Sequence, residues 1–205
     1  YFALKDDGSV WTFVLNGFGD IVERPKLLIK DVVKLYSGAQ TAAAALFLKA
    51  DGTLWSCGGN EYGQCGNGEH GDLDLKTQDC VVSEPYKMAE NVIDAWMTDT
   101  TTFYLTEDNK LYACGQNFYD LLLLGGNGQM NPKNHPEFAA TPVLIMEKVK
   151  QMESSDLCMF VLRTDNTVWS WGYADKGFSG NGTCYEGDDL GGTVLNERFQ
   201  NNKAL

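Results

Sequence analysis

The stretch Leu48-Lys49-Ala50-Asp51-Gly52-Thr53-Leu54-Trp55 decides the fold, because its pattern occurs in four places. The copies read LKDDGSVW from Leu4, LKADGTLW from Leu48, LTEDNKLY from Leu105 and LRTDNTVW from Leu162. Their turn aspartates, Asp7, Asp51, Asp108 and Asp165, are separated by 44, 57 and 57 residues. That period suits a multi-stranded unit and is too long for a heptad or a leucine-rich repeat. Asp-Gly or Asp-Asn between alternating apolar residues is the signal of a β-hairpin. The dipeptides Asp7-Gly8, Asp51-Gly52, Asp108-Asn109 and Asp165-Asn166 therefore predict type I′ turns, with two positive-φ residues each. Thr102 to Leu105 is expected to pair with Leu111 to Gly115. Leu4, Leu48, Leu105 and Leu162 should face one layer, while Trp11, Trp55, Tyr112 and Trp169 supply aromatic packing bodies.

Two further markers keep step with the hairpins. Upstream of each later one lies a proline with a spaced apolar series: PKLLIKDVVKL from Pro25, PYKMAENVIDA from Pro85 and PVLIMEKVKQM from Pro142. Proline at a strand entrance followed by β-branched valine predicts an edge strand leading inward. Downstream, Gly-Asn-Gly closes a loop at Gly66–Gly68, Gly126–Gly128 and Gly180–Gly182. Hairpins near 2–14, 46–58, 103–115 and 160–172 thus belong to one repeated unit spanning 1–205.

The loop after the second hairpin is the most distinctive. WSCG (Trp55 to Gly58) followed by GGNEYGQCGNG (Gly58 to Gly68) resembles the signature of the regulator of chromosome condensation repeat family, matched at Gly58, Asn60, Gly63, Gln64, Gly66 and Gly68, with Cys65 where leucine is usual. Weaker versions follow at GQNFYDLLLLGGNG from Gly115, with three extra residues, and at GYADKGFSGNG from Gly172, with Ala174 and Phe178 replacing Asn and Gln. The first copy lacks the loop and closes on a short Asn16-Gly17 turn. The resemblance implies an all-β protein, a β-propeller of four-stranded blades, with about four blades present in a ring whose family form has seven. Seven units at this period would need roughly 400 residues. A partial, open propeller is the expectation, an excerpt of a longer chain, its ring completed by remaining blades or by a second copy.

Composition limits the function. With 16 Lys+Arg against 28 Asp+Glu the net charge is −12, which argues against nucleic acid as partner, since that affinity comes from cations on phosphates. The longest apolar runs, Ala42 to Leu48 and Leu121 to Leu124, fall far short of the ~20 residues of a membrane span, so no membrane insertion is expected. No catalytic residue, cofactor or metal site is assigned. His70 and His135 lack partners and occupy non-equivalent loops, and no HExxH, GxSxG or P-loop occurs. Gly66, Gly68 and Gly71 spell GxGxxG, but DLDLKTQD follows rather than a helix, so they read as turn glycines. Cys57 and Cys114 share the repeat position of Trp171 and read as small core residues; Cys158 falls on a strand. Cys65 and Cys80 are the pair that could close a loop in an oxidising compartment, with Cys184 a third loop cysteine.

What remains for binding is the loops. Glu61, Glu69, Asp72, Asp74, Asp79 and Glu84 stand against Lys76 alone, and the equivalent fourth loop carries Asp175, Glu186, Asp188 and Asp189. These acids are either ordinary solvated charge or one electronegative rim that steers a basic partner. Asp72-Leu-Asp74 lacks the glycine and terminal glutamate of a calcium loop. The loop aromatics Tyr62, Phe118, Tyr119, Phe178 and Tyr185 either pack back on the blades or stack on sugars. The reading is a non-enzymatic module whose blade-face loops hold a protein partner; the alternative is a carbohydrate or cell-envelope binder. The family's guanine-nucleotide exchange role is the third reading, for which no exchange-wedge residues can be mapped.

Overall fold

The structure, a computed structural model, describes residues 1–16, 18, 20–38, 44–71, 80–117, 121–124, 138–154 and 158–172. Among the described residues, fourteen strands form four antiparallel sheets in chain order. The first sheet holds β1 (Phe2–Leu4), β2 (Val10–Thr12) and β3 (Lys26–Ile29). The second holds β4 (Val32–Ser37), β5 (Ala45–Lys49), β6 (Leu54–Gly59) and β7 (Val81–Ala89). The third holds β8 (Val92–Met97), β9 (Thr101–Thr106), β10 (Lys110–Gln116) and β11 (Phe138–Glu147). The fourth holds β12 (Val149–Ser154), β13 (Cys158–Arg163) and β14 (Val168–Gly172). Each sheet is an up-and-down meander, the blade of a β-propeller.

The core lies between the blades. On β5, Ala45 and Phe47 join Val10 and Ile29 of the first blade, while Leu46 and Leu48 join Val92, Ala95 and Tyr104 of the third. On β9, Phe103 and Leu105 turn the other way, onto Val149, Met152, Met159, Val161 and Trp171 of the fourth blade. Successive side chains leave opposite faces of a strand, so a strand covered on both faces reads as an unbroken apolar run. Leu48 and Leu105 are buried as the alternation requires, but Leu4 is 37% exposed. It lies on β1, the edge of a three-stranded sheet, where no described strand lies beyond to cover it.

The hairpin turns correct one expectation. Gly8, Gly52, Asn109 and Asn166 have φ of 76°, 75°, 61° and 63°, while the aspartates before them stay at negative φ. Gly8 donates to the carbonyl of Lys5 at 2.9 Å and Lys5 to that of Ser9 at 2.9 Å. This is a three-residue loop, a type I turn closed by one left-handed residue, rather than type I′. That residue also links the blades. The carbonyls of Gly8, Gly52 and Asn109 accept the amides of Val32, Val92 and Val149, which open the next blades, at 3.0, 2.9 and 2.9 Å.

The proline segments are also reassigned, because each spans two strands in two blades. Lys26–Ile29 ends the first blade, and Val32–Ser37 opens the second after a turn at Asp31, whose φ is 63°. Pro85 and Pro142 lie within β7 and β11, at the irregularities between the Ser56↔Tyr86 and Gly58↔Val82 pairs and between the Ala113↔Val143 and Gly115↔Ala139 pairs. An outer strand at a bulge is where a residue without an N–H donor is tolerated. In the first copy Leu15 pairs with Ile21 and Asn16 Oδ1 accepts the amides of Phe18 and Asp20, both at 2.9 Å.

Candidate protein-interaction loop

The distinctive loop leaves β6 at Gly59 and is organised by one buried amide. Asn60 Nδ2 donates to Asn67 Oδ1 at 2.9 Å and to the Glu69 carbonyl at 2.8 Å, while its Oδ1 accepts the Cys65 amide at 2.8 Å. Its backbone N–H donates to the Cys80 carbonyl at 2.8 Å, which ties the loop's start to its return. Buried amide groups need partners, and Asn60 uses both donors and its acceptor within one loop.

The same loop clasps the next blade. The Gln64 carbonyl accepts Thr102 Oγ1 at 2.8 Å and Cys114 Sγ at 3.6 Å, and the Gly68 amide donates to the Ala140 carbonyl at 2.9 Å. Gln64 Oε1 accepts the Tyr62 amide at 2.9 Å, while its buried Nε2 meets no partner among the described residues. Gly63, at φ 78°, runs so close to the third blade that a Cβ there would lie 2.4 Å from Ala140 Cα. Of the signature residues, Gly63, Gln64 and Gly68 meet the third blade, while Asn60 holds the loop to itself.

The third copy repeats the clasp with different chemistry. Asn117 Oδ1 accepts the Leu122 amide at 2.9 Å, as Asn60 does for Cys65, and Trp171 Nε1 donates to the Leu121 carbonyl at 3.0 Å, as Cys114 does to Gln64. Leu121 thus stands for Gln64, and Leu123, at φ 49°, takes the left-handed place of Gly66. The extra residues of this copy follow Leu123. The position shared by Cys57, Cys114 and Trp171 is a core position as expected, but it is not a small one, since Trp171 is completely buried. Cys65 and Cys80 are separate thiols: Cys65 Sγ lies 3.6 Å from the Gly59 carbonyl, and Cys80 Sγ lies 3.7 Å from Asn60 Nδ2.

Around this fixed frame Glu69 is exposed, Glu61 and Tyr62 are partly so, and Glu84 stands exposed on β7. Partial burial, then the Glu61 charge, push the Tyr62 hydroxyl upward in pKa. Asp72, Asp74, Phe118, Tyr119, Asp175, Phe178, Asp188 and Asp189 lie outside the described residues, as do Asp79, His135, Cys184, Tyr185 and Glu186. A group that sequence reasoning missed joins the second and third blades: Asp94 on β8 accepts the Tyr36 hydroxyl and Lys34 Nζ, the latter at 2.9 Å. Its only sequence signal is the recurrence of charged residues on the blade-opening strands.

Comparison with known proteins agrees with this architecture. Residues 32–64 and 51–92 each match the family described as Regulator of chromosome condensation (RCC1) repeat. Protein RCC1 of Candida albicans is 24% identical over 165 residues, covering 74% of this chain and 34% of that protein. The human E3 ubiquitin-protein ligase HERC2 is 26% identical over 203 residues, covering 89% of this chain and 4% of the ligase. The chain therefore spans 34% of the length of the first of these relatives and 4% of the second. The crystal structure of Prp20p from Saccharomyces cerevisiae, described with its binding to Gsp1p and histones, superposes with a TM-score of 0.65. It covers 97% of this chain and 48% of that one at 18% identity, a likeness of fold. With the turn octets, the Asn60 loop, the four meanders and these matches in agreement, the chain has the β-propeller fold and carries, across residues 32–92, repeats that match the regulator of chromosome condensation family.

Proposed function

We propose that this chain works by binding a protein, without chemistry of its own, and that the partner is basic and meets the loops that leave the blades after their third strands. The observation that carries the reading is the Asn60 lock, which holds Glu61, Tyr62 and Glu69 on a loop already fastened at both ends. A surface ordered before binding avoids the entropic cost of ordering on contact. A net charge of −12 supplies the long-range field that draws a cationic protein in. Histone binding by Prp20p, a protein of this fold, is a relative's example of such a basic partner.

The test is titration of the chain with purified core histones across a salt series, alongside the Glu61→Lys/Glu69→Lys double variant. Binding should weaken steeply with salt and drop with charge reversal. Absence of binding at low salt, or binding indifferent to the double variant, removes this loop from the interface.

A further inference from the structure

In three of the four repeats the chain seats a cation of its own on the hairpin's aromatic ring. Lys5 Nζ lies 5.8 Å from the centre of the Trp11 ring, Lys49 Nζ 5.0 Å from that of Trp55, and Arg163 Cζ 5.1 Å from that of Trp169. The indole N–H beneath donates to a hydroxyl, Ser9, Thr53 or Thr167, at 3.0, 2.9 and 3.1 Å. That hydroxyl donates to the turn aspartate at 2.5, 2.6 and 2.6 Å. Cation, ring, hydroxyl and carboxylate thus recur as a set.

The third repeat keeps the carboxylate, Asp108, and changes the other three members of the set together. Thr106 stands in the cation's place, Lys110 in the hydroxyl's and Tyr112 in the tryptophan's. Thr106 Oγ1 donates to Asp108 Oδ1 at 2.6 Å from the opposite strand, and Lys110 is drawn onto Asp108 Oδ2 at 2.6 Å. Tyr112 stacks on Tyr104, ring centres 5.3 Å apart and planes 13° from parallel. No lysine or arginine lies over the Tyr112 ring among the described residues.

Where the sister repeats hold their cation, this one has an open cleft between the second and third blades, lined by Met88, Asn91, Tyr104, Thr106, Glu107 and Tyr112. Glu90 and Asp108 also line it, but they are occupied by Lys87 and Lys110. Glu107 has no ion-pair partner among the described residues. An aromatic face beside an unpaired carboxylate attracts a cation through both the ring quadrupole and the charge.

We propose that this cleft seats a lysine or arginine side chain of a protein partner, in the position that Lys5, Lys49 and Arg163 fill in the sister repeats. The inference rests on the reading that the partner is a basic protein, and it gives that partner a specific anchor apart from the Asn60 loop. A neutral ligand such as a sugar would use the stacked rings but leave the Glu107 charge without a role.

The experiment is isothermal titration of the chain with hexalysine and hexa-arginine peptides at low ionic strength. The Thr106→Lys variant restores the sister arrangement and should block the seat, weakening both peptides by about tenfold. Val81→Lys, an exposed position at the far end of β7, adds the same charge away from the cleft and should keep most of the affinity. Tyr112→Ala should weaken binding as well, and circular dichroism melts report whether each variant is folded. Equal affinities for Thr106→Lys and Val81→Lys overturn the proposal, as does tighter binding of neutral oligosaccharides than of either peptide. The Glu61→Lys/Glu69→Lys variant separates the two readings. Peptide binding sensitive to Thr106→Lys and indifferent to the loop reversal supports the cleft and removes the loop; the reverse pattern removes the cleft and leaves the loop; no peptide binding at all overturns the cleft.

Discussion

Trp171 Nε1 donates to the carbonyl oxygen of Leu121 at 3.0 Å, which fastens the fourth blade to the loop of the third. The bond is buried, and Cys114 reaches Gln64 in the same way one blade earlier. A buried carbonyl deprived of its donor retains the cost of leaving water.

Trp171→Phe keeps most of the apolar volume and removes the donor. The expected loss of stability is about 1–3 kcal/mol, from an unsatisfied acceptor together with the missing part of the ring. Urea unfolding monitored by circular dichroism measures it. A midpoint equal to that of the unaltered chain would show that the Leu121 carbonyl finds water or another donor.

Gly63 gives a sharper test of the clasp, because two independent costs meet at it. At φ 78° an alanine pays for the left-handed backbone, and its Cβ would sit 2.4 Å from Ala140 Cα and 2.8 Å from Ala140 Cβ. Gly63→Ala should cost more than the ~1 kcal/mol of the backbone change alone. Adding Ala140→Gly removes the contact with the side chain and leaves the closer one with the backbone. Rescue by that second change should therefore be slight, and full rescue in a double-mutant cycle contradicts the close approach of the chains.

These relationships divide what the sequence discloses from what it withholds. The octet from Leu48 and its sisters is local: the apolar alternation, the turn dipeptide and the ring all lie within eight residues, so hairpins and repeat order are legible. The turn type is not legible there, because Asp-Gly suits both a two-residue and a three-residue loop, and only the Lys5–Ser9 pairing distinguishes them. The partners of Gln64 are Thr102 and Cys114, 38 and 50 residues away, set by how one sheet stacks on the next. Periodicity within a strand carries no information about that register. The exchange of Thr106, Lys110 and Tyr112 was visible in the aligned octets, but its meaning required knowing that Lys49 lies over Trp55.

The turn aspartates predict an acid response with a definite sign. Asp51 is held below its ordinary range first by the Thr53 hydroxyl and then by the Thr53 amide; Ser9 does the same for Asp7, and Thr167 for Asp165. A carboxylate with a depressed folded pKa contributes stability that is complete above the unfolded value, about 3.9, and disappears as pH falls through the lower folded one. Thr53→Ala removes the largest cause, so the Asp51 midpoint, followed by carboxyl carbon NMR, should rise toward the ordinary value. The Trp55 indole N–H resonance should move with it, since the indole donates to the Thr53 hydroxyl. An Asp51 midpoint unaffected by Thr53→Ala would place the cause elsewhere.

Thiol chemistry tests the loop frame and the separate state of Cys65 and Cys80 together. Cys65 is completely buried beneath the Asn60 loop, and that burial pushes its thiol up to about 12; burial raises Cys114 and Cys57 in the same direction. Alkylation proceeds through the thiolate, so neutral iodoacetamide should leave Cys65 and Cys114 unlabelled in the folded chain and label both in urea. Cys80, only partly buried, should react before either. Asn60→Ala removes the side chain that binds the Cys65 amide and the Glu69 carbonyl, and it should expose Cys65 to the reagent while Cys114, held in the blade, stays protected. Peptide mapping by mass spectrometry reads all of this from one digest. A linked Cys65–Cys80 peptide under non-reducing conditions would replace two thiols with a bridge, and equal exposure of Cys65 and Cys114 in Asn60→Ala would show that the loop and the blade open as one unit.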